Sequence, residues 1–240
     1  HVSETAMSLQ VVKRGYVPKD QTEFGAVWKA RMDAAANDIR YLLDHGYPVS
    51  PTVTFVGNHY LLSERQRMAL TRGLASRERL CARREKELQS LSGTVSVDGF
   101  NTVITLEVAL SGSLLLGCDD GTIRDLAGLH GTYRIVDKTV RAVELMLGAL
   151  ERTGADRAVV FLDRPVSNSG RLKALIEEKG AHRRLSVDAE LLSDVDRQLS
   201  GMSQVVTSDE VILDRCGGWY NLNRRIIEES IPEAWLYSFH

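Results

Sequence analysis

An α/β fold, with a parallel sheet preceded by a mainly helical N-terminal region, is what the amino-acid sequence predicts. Three observations carry that expectation. After Gly93, β-type and helical segments alternate, the pattern of βαβ units and a parallel sheet. Before Ser90 to Gly93, apolar residues recur instead at helical spacing. Three apolar runs stop on an aspartate: Val95-Ser96-Val97-Asp98, Val159-Val160-Phe161-Leu162-Asp163 and Val205-Val206-Thr207-Ser208-Asp209. β-branched and aromatic runs of that length read as buried strands.

The elements follow in chain order. Phe24, Val27, Trp28, Met32, Ala35, Ile39, Leu42 and Leu43 share a helical stripe, and Gly46-Tyr47-Pro48 stops it. A short extended piece is expected at Val53 to Val56. Ser63 and Gln66 make a capping box for a long helix running toward Leu91. The chain thus divides into a helical region, 1–92, and an α/β domain, 93–240. In the latter, strands are expected near 94–98, 157–163, 184–191 and 204–208, and helices near 136–153, 169–180 and 221–230. Leu114 to Cys118, the turn Asp119-Asp120-Gly121 and Thr122 to Leu126 read as an inserted hairpin. Ala234 to Phe239 reads as an added edge strand.

Composition narrows the function classes. With 240 residues, 43% hydrophobic and 26% charged, the chain can bury a sizeable core in one or two domains. The formal net charge of −2 provides no global basic field, so a polyanion must be held by a local basic patch or through metal ions. Cys81, Cys118 and Cys216 are dispersed and form no C-x-x-C pair, which argues against a disulfide framework and a zinc site. No apolar run is long enough to span a bilayer and no signal-peptide pattern is found, so a cytoplasmic protein without membrane association is expected. His1 to Met7 read as an appended or frayed end.

The chemistry lies in the aspartates. In an open parallel sheet the carboxyl ends of the strands share one edge, where ligands bind. Asp98, Asp163 and Asp209 converge there if their strands are neighbours, and like charges so close require shared protons or bound cations. Gly99 is expected to let the chain turn sharply off the first strand, leaving Asp98 facing the edge. Asp214 lies beyond one helical turn from Asp209, on the same expected side. Ser193-Asp194-Val195-Asp196 brings further carboxylates to a strand end. Oxygen-only ligands suit Mg²⁺ or Mn²⁺ rather than zinc. Two such ions about 4 Å apart activate a water and steady the leaving oxygen of a phosphodiester. The plainer explanation of each aspartate is a helix cap or turn; three at corresponding positions weigh against it. For Asp119, Asp120 and Asp125 the hairpin turn suffices.

Val97-Asp98-Gly99-Phe100-Asn101, Phe161-Leu162-Asp163 and Val206-Thr207-Ser208-Asp209 resemble the signature segments of NYN domains in the PIN-like ribonuclease superfamily. The whole chain is similar to a prokaryotic family without an assigned activity, through Asp38-Ile39-Arg40-Tyr41-Leu42-Leu43-Asp44-His45-Gly46-Tyr47-Pro48 and Gly57-Asn58-His59-Tyr60. The PIN-like resemblance covers the chain from Gly93 on. It implies a PIN-like three-layer core, RNA as the partner, and metal-dependent cleavage. It also implies that Asp98 and Asp209 are metal ligands with Asp163 close by. The acid pair that the superfamily carries on the helix before its last motif strand has no obvious counterpart, and Asp194 or Asp196 must stand in for it.

The expected site therefore has Asp98, Asp163, Asp194 and Asp209 in catalysis and Asp98, Asp209 and Asp214 on the metal. Substrate contacts are expected from Asn101, from Asn168 and Ser169 at a helix start suited to a phosphate or simply capped, and from His130 and Arg134 in the loop Gly128 to Arg134. Arg65, Arg72, Arg79 and Arg83 recur at near-heptad spacing beside Met68, Leu70, Leu74, Leu80 and Leu88. They form a solvated face, an RNA-binding arm or a homodimer contact through the N-terminal helices. Two alternatives stand beside the nuclease. One is a catalytically silent module of PIN-like fold that binds nucleic acid or protein. The other is a haloacid dehalogenase-like phosphatase, since Cys118-Asp119-Asp120-Gly121-Thr122 resembles D-x-D-G-T. There Cys118 occupies the nucleophile position, and a thiol cannot form an aspartyl phosphate.

Overall fold

The computed structural model describes residues 11–128 and 131–240; His130, expected to contact substrate, lies outside the described residues. The N-terminal region contains α1 (Asp20–Glu23), α2 (Ala26–Asp44), α3 (Val49–His59), α4 (Glu64–Gly73) and α5 (Arg77–Lys86). Helix α2 buries Met32, Ala35, Ala36, Ile39 and Leu43, the inner line of the expected stripe. It stops before Gly46, whose φ of +84° favours glycine.

Two expectations for this region are corrected. Val53 to Val56 is helical, not extended, because Thr52, Val53, Val56 and Gly57 face inward together at helical spacing, and burial overrides their β-branched preference. Pro51 sits in the first turn, where its missing N–H has no helical partner to lose. The capping box does form: Ser63 N donates to Gln66 Oε1 at 2.9 Å and Gln66 N donates to Ser63 Oγ at 3.1 Å. The helix it starts ends at Gly73, however, instead of running to Leu91. Leu74 is extended and, with Ala75, buried. Ser76 then opens α5 by accepting from Arg79 N at 3.3 Å.

The second part contains β1 (Gly93–Asp98), α6 (Gly99–Leu110), β2 (Leu114–Gly117), β3 (Ile123–Asp125), α7 (Thr139–Glu151), β4 (Ala155–Asp163), α8 (Ser169–Gly180), β5 (Ser186–Leu192), α9 (Val195–Ser200), β6 (Val205–Val206), α10 (Glu210–Arg215), β7 (Trp219–Tyr220), α11 (Leu222–Ser230) and β8 (Trp235–Ser238). Five strands form a sheet in the order β5-β4-β1-β6-β7, with every neighbouring pair parallel. Helices cover both faces, so this is a three-layer α/β core. Helices α6, α7, α8 and α11 pack on the face carrying Val95, Val97, Val160 and Val206. On the other face α9 and α10 pack over Val159, Phe161, Val205 and Trp219. Chain order reverses between β1 and β6, and a crevice opens outside the carboxyl ends of strands at such a switch point.

The hairpin β2–β3 forms, but Ala234 to Phe239 adds no edge to the main sheet. Strand β8 pairs parallel with β2 and makes a separate sheet, β3-β2-β8. Both faces of this small sheet are covered, which explains the unbroken Leu114-Leu115-Leu116 run. Leu115 and Ile123 join the main core. Leu114, Leu116, Tyr237 and Phe239 complete the core of the N-terminal helices. Among the described residues, no helix is long and apolar enough to cross a membrane.

Candidate metal centre

The switch point is built from the ends of β1 and β6. Asp98, the last residue of β1, is buried, and its Oδ2 accepts from Thr207 Oγ1 at 2.8 Å. The same Thr207 oxygen accepts from Asp209 N at 3.0 Å, which ties the two acidic segments together. Asp98 occupies the position before α6, yet its side chain makes no capping bond there. Capping therefore does not account for this carboxylate. Burial holds its pKa well above the ordinary value, and the charges of Asp209, Asp196 and Asp163 push the same way. Burial also raises Asp163, whose Oδ1 receives Val195 N at 3.4 Å. Asp196 is pushed up to about 6, by burial first and then by Asp209, Asp163 and Asp194.

Asp98, Asp163, Asp196 and Asp209 thus share one electrostatic neighbourhood at the sheet edge. Among the described residues none of the four forms an ion pair with Lys, Arg or His. An oxygen-only donor set whose repulsion no side chain offsets fits a hard divalent cation. The fit is incomplete in one respect. Among the described residues, no three His, Cys, Asp or Glu side chains form a ready-made metal-binding group. Helix starts take up part of the donor set. Asp209 Oδ1 accepts from Val211 N at 3.0 Å and Ile212 N at 3.2 Å, and Asp194 Oδ1 accepts from Arg197 N at 3.1 Å.

Two sequence expectations are redirected here. Asp194 and Asp196 are both exposed; Asp194 is the N-cap of α9, and Asp196, inside the first turn, is the acid whose charge reaches Asp98. Asp214 is not brought into the cluster. It receives Arg83 Nε at 2.7 Å and Arg83 Nη2 at 3.0 Å, because α10 turns that side chain toward α5.

Gly99 also has a different reason from the one expected. It starts α6 in helical conformation, and a Cβ there would meet Leu162 Cδ2 at 2.4 Å and Phe161 O at 2.8 Å. Close packing of α6 on β4, not a sharp turn, requires glycine. Two residues on, Asn101 Oδ1 accepts from Ser208 N at 3.0 Å and Ser208 Oγ at 3.1 Å. Asn101 and Asp209 line a cavity of about 310 Å³ with Thr71, Arg72, Arg124 and Glu210. The N-terminal helices therefore supply one wall beside the acidic edge. Of the near-heptad arginines, Arg72 is the one that lines this cavity.

Of the other expected substrate groups, Asn168 and Ser169 are bound into loop structure. Asn168, at φ +63°, donates from Nδ2 to Tyr133 O at 2.6 Å. Buried Ser169 donates from Oγ to Arg164 O at 3.1 Å. Arg134 is exposed, and its carbonyl accepts from Arg14 Nη2.

A second charged cluster, which the sequence did not reveal, sits where the N-terminal helices meet the α/β core. Buried Arg83 donates to Asp120 Oδ2 at 3.0 Å as well as to Asp214, and Arg124 contacts Asp120 and lies 3.7 Å from Glu210. Burial alone would raise Asp120, but Arg124 and the Thr122 bonds outweigh it and hold the carboxyl below its ordinary value. Burial pushes the Cys118 thiol up to about 11, so it stays protonated at neutral pH. Both groups that the D-x-D-G-T resemblance would employ are thereby withdrawn from phosphate chemistry.

Comparison with known proteins gives family but no activity. Residues 88–225 match the family described as Domain of unknown function (DUF5616), and residues 31–86 match the one described as Protein of unknown function (DUF434). An uncharacterized protein of Methanocaldococcus jannaschii is 34% identical over 187 residues, covering 76% of this chain and 88% of the relative. No solved structure matches the chain. Because the first match spans more than half of the sequence, the chain belongs to the family described as Domain of unknown function (DUF5616).

Proposed function

We propose that this protein is a Mg²⁺- or Mn²⁺-dependent ribonuclease of PIN-like, NYN type that hydrolyses phosphodiester bonds in the cytoplasm. The observation that carries the reading is the convergence of Asp98, Asp163, Asp196 and Asp209 at the switch point with no cationic side chain among the described residues to offset them. Asp98 and Asp209 would hold the cation, with Thr207 bonded to one oxygen of Asp98. A divalent ion bound there supplies charge neutralisation and Lewis acidity for attack by water. Asp196, with its proton affinity raised toward neutrality, is suited to take a proton from the attacking water. The adjoining cavity offers Arg72 to a phosphate of the strand.

Incubation with mixed structured and single-stranded RNA plus Mn²⁺, beside Asp98→Asn, tests this. Cleavage is expected for the wild type and at least 100-fold loss for the variant; cleavage that survives the substitution defeats the reading. The second reading, a catalytically silent nucleic-acid-binding module, has support in the absence of a ready-made three-ligand group among the described residues. It expects RNA affinity without cleavage and without any effect of Asp98→Asn.

A further inference from the structure

The break between α4 and α5 leaves a groove that the acidic edge does not explain. A second cavity, of about 300 Å³, lies along this break and is lined by Tyr47, Ser76, Arg79 and Glu210. Glu210 also lines the cavity beside Asp209 and Asn101. The two cavities therefore flank the Glu210 side chain, and each is the size of a small ligand site. On one side of Glu210 lie Asp209 and Arg72, on the other Glu78, Arg79 and Tyr47, both along the seam between the N-terminal helices and the α/β core.

The near-heptad arginines divide along this seam. Arg65 is bound by Asp20 at 2.6 Å, and Arg83 is buried in the charged cluster. Arg72 uses Nη1 on Asp125 O at 2.9 Å, which leaves donors of its fork for another acceptor. Arg79 is 58% exposed on its side chain, and its contact to Asp214, at 3.7 Å, is loose. Tyr47 is 57% exposed and stands between Gly46 and Pro48, whose backbone limits fix the turn that presents its ring. Two spaced guanidiniums and a flat exposed ring beside a phosphodiester site match the chemistry of an unpaired strand, which needs phosphate contacts and a stacking platform. A double helix is too broad to enter cavities of this volume.

We infer that this groove is the binding track for a single-stranded RNA, with Arg72 and Arg79 on its phosphates and Tyr47 stacked on a base away from the cleavage point. The inference rests on the ribonuclease reading and names its substrate class. The DUF434 segment is then the part that selects an unpaired strand.

The test measures binding of fluorescein-labelled RNA of 4 and 12 nucleotides, and of a 12-base-pair duplex, in Ca²⁺, with cleavage of the same RNAs followed in Mn²⁺. The single-stranded 12-mer is expected to bind at least 10-fold more tightly than the 4-mer and than the duplex. Tyr47→Ala is expected to weaken the 12-mer 5-fold or more. Arg72→Ala and Arg79→Ala should each lower the salt slope of log K by about 0.7. Arg157→Ala, at the amino-terminal end of β4, controls for loss of one exposed charge. If the 12-mer is cleaved while all three groove variants bind it as the wild type does, the track is wrong and the nuclease reading survives. Length-dependent binding lost in the variants, with no cleavage, supports the track and defeats the nuclease reading. Equal affinity for the duplex, or no binding of any RNA, overturns the inference.

Discussion

At the scale of single residues, Asp98 carries the strongest electrostatic tension at the sheet edge. Its carboxylate is buried among other acids without a compensating cation among the described residues, so it opposes folding when ionised. Asp98→Asn is expected to stabilise the metal-free protein by about 1–3 kcal/mol in urea denaturation at pH 7, since an amide keeps the Thr207 bond without the charge. The same variant should lose any rise in melting temperature that millimolar Mn²⁺ gives the wild type. Asp196 sets a pH window. Unfolded, it titrates near 3.8; folded, near 6. Between those values the native state binds the extra proton, so this contribution is complete below the lower value and is lost as pH rises through the upper one. Metal-free protein should therefore melt at a higher temperature at pH 5 than at pH 7.5, with Mn²⁺ reversing the order.

At the scale of elements, the packing of α6 against β4 is the tightest requirement on sequence. Gly99→Ala should cost about 2–3 kcal/mol, because its Cβ meets the Phe161 carbonyl, which is backbone and cannot step aside; urea denaturation with an unchanged m value checks it. Helix α6 itself was not legible in the sequence. Phe100, Val103, Ile104, Leu106 and Val108 are buried around most of its circumference, which leaves no amphipathic stripe to detect. Strand β1 and strand β4 were legible because continuous β-branched runs ended in polar residues. The two-residue strands β6 and β7 are too short to carry such a pattern, although the run through Val206 marked where the first would lie. Asp98 and Asp209 could be placed at one edge from strand ends alone. That α10 would direct Asp214 to Arg83, or that α9 would offer Asp196 rather than Asp194, depends on helix starts fixed by tertiary packing.

At the scale of the whole molecule, the buried cluster of Arg83, Asp120 and Arg124 binds the two family segments into one structure. Arg83 is 1% exposed and faces Asp120 and Asp214 across that seam. Arg83→Ala is expected to cost about 3–5 kcal/mol, since it leaves Asp120 buried with one partner fewer. Calorimetry should give a single transition for the wild type, with the calorimetric and van't Hoff enthalpies equal. A fragment of residues 93–240 should aggregate, because Leu114, Leu116, Tyr237 and Phe239 lose the helices that cover them.

The small sheet β3-β2-β8 has a consequence for folding. Lys29, on α2, donates to the carbonyl of Ser238, which is 209 residues later. Tyr237 and Phe239 belong to the same apolar interior as Met32 and Ile39. Helices α2 to α4 therefore lack a cover for much of their oily side until the distant strand β8 seals it. Long-range closure of this kind slows folding. It also delays completion of the interior behind α4, which carries Arg72, until β8 is in place.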